Sequence, residues 1–306
     1  MIEIINIGGL SMYLSYSRIN TFNNCSKQYK FQYLDNIPIE NKNIAEVTSL
    51  GILYHKIFAE LTGGLDENQV REICHRVVGE ENITYETMKQ MEEVVVNWYN
   101  PFDFDNVFAK EHKIQFTLMS HIFTGYLDRI DKFDDKAYEI IDYKTGNYEY
   151  RDYDLKNSLQ FDIYSFALFT IYKPDVIRMT YDNVQMKTKV HAQTTIDELP
   201  IIRNRLATFI RRIENATSFP ATLGNHCLYC PFKDKCEEFK NDKYEFNDVV
   251  KTYVKSKVKG KFYKEQEQTY YALLLEQMQE QDIEEISYGS YSIKLLNGKI
   301  YLNKAK

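Results

Sequence analysis

Three residues have the types and spacing for hydrolytic chemistry. Asp128 lies in Gly125-Tyr-Leu-Asp128-Arg-Ile-Asp131, and Asp142 and Lys144 lie in Glu139-Ile-Ile-Asp142-Tyr-Lys144-Thr-Gly146. Asp142 and Lys144 are two apart on a predicted strand, where side chains alternate, so both share one face. Asp128 falls on the preceding strand, across a short turn. An acid from each of two paired strands, beside a lysine, makes a divalent-cation site, and oxygen ligands suit Mg²⁺ or Mn²⁺. The lysine can orient and deprotonate a water, or stabilise charge on a phosphate in flight. Asp-x-Lys alone is a common solvated pair. Here Ile140 and Ile141 bring the strand out of a core and Thr145-Gly146 end it at once. The acid therefore sits at a strand mouth, where sites gather.

The cysteines form a second constellation. There are five, Cys25, Cys74, Cys227, Cys230 and Cys236. An odd number, in a chain whose start shows no basic-then-apolar leader, argues against a disulfide framework. Cys227-x-x-Cys230-x-x-x-x-x-Cys236 has metal-ligand spacing and needs a fourth donor. His226 would complete a Cys₃His zinc site; Cys25, some 200 residues earlier, is the other choice.

The elements that must position these residues follow from periodicity. Residues 1–7 read as a short strand. Residues 15–34 read as one helix with Ser17 as N-cap and a core face of Ile19, Phe22, Phe31 and Leu34. Helical segments follow over 46–63, ended by Gly63-Gly64, and over 66–79 and 84–99, stopped by Pro101. Residues 107–119, 121–133 and 137–143 alternate as three antiparallel strands, the last two joined by a turn at Asp134-Asp135-Lys136. Residues 158–172 are a helix, 176–190 one or two strands, and 197–214 an amphipathic helix carrying Arg203, Arg205, Arg211 and Arg212. After the cysteine segment, 222–240, come Lys251, Lys255, Lys257, Lys259, Lys261 and Lys264, suited to tracking a phosphate backbone or to a solvated linker. A helix over 261–281 and a hairpin over 286–303, turning at Asn297-Gly298, end the chain. The predicted fold is an α/β core with a helical cap and a C-terminal appendage.

Composition sets the outer bounds. The chain has 306 residues, 44% hydrophobic and 27% charged, enough for a large core in one domain or two. No apolar run reaches membrane-spanning length, so a cytoplasmic protein with no membrane partner is expected. Net charge is −6, which disfavours nonspecific binding to nucleic acid, but the far field does not describe a cleft. Residues 246–306 carry ten Lys against eight Asp and Glu, so the acidic surplus lies before them.

Taken together, Gly125-x-x-Asp128-Arg and Ile-Ile-Asp142-Tyr-Lys144-Thr-Gly resemble the core motif of PD-(D/E)XK nucleases of the RecB type. His55, in Leu50-Gly51-x-x-x-His55, resembles that family's early helix-borne histidine. Gln160-x-x-x-Tyr164 resembles its Gln–Tyr motif, and Glu111 matches a glutamate often seen on the strand before, though a structural ion pair would serve there as well. Leu127 stands where other members carry proline. The resemblance spans roughly residues 15–239. It implies a restriction-endonuclease-like core, a central mixed sheet flanked by helices, with a helical insertion over 46–100 and iron–sulfur-stapled termini. The nuclease domain would be 1–245, and 246–306 a Lys-rich linker, helix and hairpin.

The resemblance also implies roles. Asp128 and Asp142 would bind the metal with His55 and the Tyr143 carbonyl, Lys144 would activate water or stabilise the transition state, and Gln160 and Tyr164 would position DNA. The pattern around Cys25 is similar to the N-terminal helix of iron–sulfur members, found in AddAB-type subunits and CRISPR-adaptation nucleases, with Ser26 in place of a common proline. It implies a [4Fe–4S] cluster on Cys25, Cys227, Cys230 and Cys236, leaving Cys74 a buried spare thiol. The implied function is a Mg²⁺- or Mn²⁺-dependent deoxyribonuclease, an exonuclease acting on DNA ends or single strands. The alternative is a DNA-end-processing partner in a helicase–nuclease, repair or recombination, or CRISPR spacer-acquisition complex. A non-catalytic iron–sulfur protein is the third class, against which the intact Asp128, Asp142 and Lys144 argue.

Overall fold

The structure, a computed structural model, describes residues 11–39, 45–79, 83–146, 148–224, 226–227, 230–241, 271, 274–275, 277–288 and 291–304. The strand expected over 1–7 and the lysine-rich stretch 251–264 lie outside them, as does the first half of the helix expected over 261–281. Two compact units emerge, one from residues 1–20 and 42–217, the other from 21–41 and 218–306.

The first unit is built on a six-stranded mixed sheet. Its strands are β1 (Tyr13–Leu14), β2 (Val107–Leu118), β3 (His121–Lys132), β4 (Ala137–Lys144), β5 (Val176–Asn183) and β6 (Thr188–Thr195). β2, β3 and β4 form the expected antiparallel run. β4 and β5 are parallel, so the chain must cross over between them. It does so through α6 (Asp152–Lys156) and α7 (Leu159–Ile171). β5 and β6 resolve the segment read as one or two strands into two, antiparallel, the second running on to Thr195. β1 adds two parallel pairs at the start of β3.

Helices cover the sheet. α3 (Ala45–Glu60), α4 (Glu67–Val78) and α5 (Tyr85–Trp98) match the three helical segments read from the sequence. Their starts obey local chemistry. Asp66 accepts from the Gln69 amide while the Gln69 side chain accepts from the Asp66 amide, a reciprocal capping box, and Thr84 caps α5. Leu53, Ile57, Phe58, Leu61, Val70 and Val95 share one core with Ile141, Tyr143 and Val184 of the sheet region. α8 (Leu199–Glu214) pairs with α7, whose residues Phe161 to Phe169 are all buried. Such a helix belongs inside a fold, not on its surface.

The N-terminal helix departs from expectation. α1 is Tyr16–Asn24, the chain is extended at Cys25, and α2 (Ser26–Tyr29) runs on into a π-helical turn, Lys30–Leu34. Asn23 and Asn24 are poor helix formers and mark the break. The N-cap is Ser15 and not Ser17, because the Ser15 Oγ accepts from the Arg18 amide at 3.2 Å.

In the second unit, chain segments about 200 residues apart meet. Tyr29 stacks on Phe219, Phe31 meets Phe232 edge-on, and Lys27 pairs with Glu238 of α9 (Glu237–Asn241). Its end is a three-stranded meander, β7 (Glu285–Tyr288), β8 (Tyr291–Leu296) and β9 (Lys299–Lys304), where the sequence indicated only a hairpin. The Asn297-Gly298 turn is as expected, both residues with φ near +50 to +70°. Leu274 and Met278, helical as expected, pack on Ile293 and Ile300.

Phe58 joins the helical layer to the sheet, 4.5 Å from the Tyr143 ring and 4.9 Å from Trp98, and is 1% exposed. Phe58→Ala should cost about 3–5 kcal/mol in urea unfolding. Phe102→Ala, at a ring 78% exposed, should change stability by no more than about 0.5 kcal/mol.

Candidate active site

Register brings three acids to one level across three strands. Glu111 of β2 lies between the pairs Lys110↔Arg129 and His112↔Leu127, which sets it opposite Asp128. Asp142 of β4 comes one step beyond the last β3–β4 pair, Arg129↔Ile141, which also sets it opposite Asp128. The two strands part there, and a side chain replaces the backbone ladder: the Asp128 Oδ2 accepts from the Tyr143 amide at 2.9 Å.

α3 supplies the fourth group. His55 Nδ1 lies 3.3 Å from Asp128 Oδ1. Donor atoms of His55, Glu111 and Asp128 all fall within 4.8 Å of one another, the separation of ligands around one cation. Two further features hold this triad. The Lys110 ammonium donates to the carbonyls of Ala59 and Leu61 at the end of α3, the latter at 2.7 Å, which ties that helix to β2 beside Glu111. Glu111 itself has φ +45°, a left-handed conformation inside a strand. Such a residue costs about 1–3 kcal/mol and is typical of functional sites.

Asp142 and Lys144 form the other half. The Lys144 ammonium is 2.6 Å from Asp142 Oδ2, and the Gln160 amide donates to Asp142 Oδ1 at 2.6 Å. Gln160 also donates to the Tyr164 hydroxyl at 3.2 Å, which donates to the Tyr126 carbonyl at 2.8 Å. α7 is thus bonded to β3 and β4, and Ser158 caps it beneath Gln160. Gly125 makes room for this: a Cβ there would stand 3.3 Å from the Tyr164 ring. The Tyr143 ring points the other way, into the core with Phe58 and Trp98. Asp131 and Glu139, in the same motif, are absorbed by Arg129 and Arg178, each at 2.6 Å.

The residues expected from the sequence, His55, Glu111, Asp128, Asp142, Lys144, Gln160 and Tyr164, therefore fall into one polar cluster. Its cation-like triad is His55, Glu111 and Asp128, with Asp142 engaged by Lys144 and Gln160. Three tyrosines were not singled out. Lys144 lies over the Tyr181 ring at 4.5 Å and near that of Tyr150 at 6.0 Å. Tyr16 on α1 feels the charges of Lys144 and Asp142. The available signal was on β5, where the pairing Asp142↔Tyr181 and strand alternation put Tyr181 beside the acid.

In the second unit, Cys25, Cys227, Cys230 and Cys236 line one cavity, together with His226. The Cys25 Sγ accepts from the Thr222 amide at 3.5 Å. Burial and the three neighbouring thiols push Cys230 up to about 11. Cys74 stands apart, buried among α3–α5, and burial pushes it up to about 12.

Electrostatics describe a site short of positive charge. Burial, with Asp128 nearby, raises Asp142 to about 6 against the pull of Lys144. Burial and Asp128 also raise Glu111. His55 is pulled down by burial, but the Asp128, Asp142 and Glu111 carboxylates outweigh this and raise it. Each shift favours the protonated form, so a cation entering the site must displace protons. Mn²⁺ affinity should accordingly rise with pH through about 6, as Asp142 loses its proton, and go on rising past 6.5 until His55 is neutral. Calorimetry in buffers of different ionisation enthalpy checks the proton release; an affinity flat across that range would contradict it.

A crystal structure of a candidate exonuclease from Eubacterium rectale is similar at 12% identity and a TM-score of 0.45, over 76% of this chain and 88% of that one. The crystal structure of SSO0001 is similar at 12% identity and a TM-score of 0.32, over 77% and 90%. No curated protein matches the chain. The family model of the PD-(D/E)XK nuclease superfamily matches residues 13–237, which include the three acid-bearing strands, Lys144, α3 and α7. The chain belongs to the PD-(D/E)XK nuclease superfamily.

Proposed function

We propose that this protein is a Mg²⁺- or Mn²⁺-dependent deoxyribonuclease of the RecB type, an exonuclease that hydrolyses phosphodiester bonds at DNA ends or in single strands. The observation that supports this best is the convergence of His55, Glu111 and Asp128 beside the Asp142–Lys144 pair. The donor set fits a hard or borderline cation, being carboxylate oxygens and one imidazole nitrogen, and the like charges of Glu111 and Asp128 call for one. His55, Asp128, Asp142 and the Tyr143 carbonyl would hold it, and Glu111, within 4.8 Å of the His55 and Asp128 donor atoms, could add a further carboxylate. When bound, the cation supplies Lewis acidity to the phosphate and lowers the pKa of an attacking water.

The chain's own residues do the rest. His55 presents Nδ1 toward the acids, held by α3. Gln160 and Tyr164 keep Asp142 and the β3 backbone at fixed separation, so the attacking water and the phosphate meet one geometry. Lys144, a cation beside Asp142, orients the water and meets charge developing on the phosphate oxygens. Through that network Gln160 and Tyr164 would also position the DNA against the site.

We further propose that Cys25, Cys227, Cys230 and Cys236 hold a [4Fe–4S] cluster. The four thiols around one cavity support it. Its role would be a staple across about 200 residues of chain, a link whose loop-closure entropy is substantial.

The chemistry is tested with end-labelled single- and double-stranded DNA. Asp128→Ala, Asp142→Asn and Lys144→Ala should each lose cleavage, while Lys144→Ala keeps metal binding because lysine supplies no ligand. His55→Ala should weaken metal affinity and recover partly at high Mn²⁺. Wild-type cleavage by Lys144→Ala or Asp142→Asn would remove the nuclease reading.

The cluster is tested by colour. Protein purified without oxygen should be brown, with broad absorbance near ~400 nm from thiolate-to-iron charge transfer. Cys25→Ala should bleach it and His226→Ala should not. Colourless protein with stoichiometric zinc would replace the cluster with the Cys₃His site.

A further inference from the structure

Among the described residues, the Lys144 ammonium has one short polar contact, the Asp142 carboxylate at 2.6 Å. That contact is a poor sole anchor, because in the proposed nuclease Asp142 also faces the metal and shares its charge with it. The lysine's other neighbours are aromatic. Its ammonium stands over the Tyr181 ring at 4.5 Å, with Tyr150 as a second wall at 6.0 Å.

The Tyr181 ring is itself immobilised. It is 6% exposed. Tyr150 packs on it at 4.6 Å and Phe161 at 4.9 Å. Its hydroxyl is 3.0 Å from the Ser158 Oγ, which also accepts from the Phe161 amide as the N-cap of α7. The same turn of helix that presents Gln160 to Asp142 therefore braces the ring under Lys144.

We propose that Tyr181 is a positioning residue: its ring face, backed by Tyr150 and braced by Ser158, holds the Lys144 ammonium at the reacting phosphate. An aromatic face attracts a cation through its quadrupole without offering a ligand to the metal or a proton to the water. It can therefore hold the lysine whether Asp142 is bonded to Lys144 or committed to the cation. This rests on the nuclease reading for the lysine's role, but the contact itself can be measured apart from cleavage.

The test uses the full chain with Tyr181→Leu and Tyr181→Phe. Lys144 reactivity toward an amine-acylating reagent is read by mass spectrometry in metal-free protein. Mn²⁺ affinity and steady-state cleavage of end-labelled single-stranded DNA are measured alongside. Tyr181→Phe keeps the ring and should match wild type within about twofold in all three. Tyr181→Leu should acylate several-fold faster at Lys144 and lose about tenfold in kcat, the scale of a desolvated cation–π contact. KM and Mn²⁺ affinity should be unchanged, since the buried ring is enclosed by Tyr150, Phe161 and Lys144 and offers no ligand atom.

Wild-type labelling of Lys144 in Tyr181→Leu overturns the proposal. So does a Tyr181→Phe protein as impaired as Tyr181→Leu, which would assign the effect to the hydroxyl. If Tyr181→Leu does not fold, Tyr150→Leu, at a partly exposed ring, should raise labelling in the same direction, and unchanged labelling there overturns it. Cleavage by Lys144→Ala is a separate result: it removes the nuclease reading, and the labelling ratio still decides the contact.

Discussion

Like-charge repulsion at one level of the sheet is the constraint on which the rest of the site depends. Glu111, Asp128 and Asp142 occupy neighbouring strands at matching register, and Asp142 is 3% exposed. Carboxylates so placed oppose one another and resist burial unless something offsets the charge. The fold supplies partial offsets on every side: the Tyr143 amide and His55 to Asp128, Lys144 and Gln160 to Asp142. Burial first, and then the Asp128 charge, still leave Glu111 and Asp142 raised above their ordinary values. The cation proposed for this site would offset that deficit of positive charge at the strand ends.

That arrangement carries features that would otherwise be costly. The left-handed backbone of Glu111 is tolerable because β2 is tied down at the adjacent Lys110, whose ammonium closes the end of α3. One residue thus anchors the strand bearing an acid and the helix bearing the histidine. On the other side, α7 reaches Asp142 through Gln160 and the β3 backbone through Tyr164, and Gly125 permits that approach. The aromatic core behind β4, where Tyr143 packs with Phe58 and Trp98, makes the strand a rigid base for residues on either side of Tyr143. Packing of this kind converts a polar cluster into a fixed geometry.

Much of this was legible in the residues. Period-2 alternation placed Asp142 and Lys144 together and gave the three antiparallel strands, and helical periodicity found the segments that Asp66, Thr84 and Ser158 cap in the structure. Errors clustered where local signals compete. The N-terminal helix was read through Cys25 because its apolar spacing continues, whereas the backbone is extended there. The terminal hairpin gained a third strand because Glu285–Tyr288 pairs with β8, a choice made by a partner and not by propensity.

By itself the sequence determined which groups exist and which lie on a common strand face: the acids, the lysine, the Gln–Tyr pair one helical turn apart, and the four cysteines. These follow from covalent spacing and the two backbone periods. Only the tertiary structure decided that Glu111 joins His55 and Asp128 while Asp142 turns to Lys144 and Gln160. It alone put the Tyr181 ring beneath the lysine, and it brings Cys25 to one cavity with the cysteines some 200 residues away that the resemblance had grouped with it. Contacts between elements depend on where β2 kinks at Glu111, where β3 and β4 part, and how α3 and α7 dock. Those outcomes are set by the packing of the whole core, and no local window of sequence contains them.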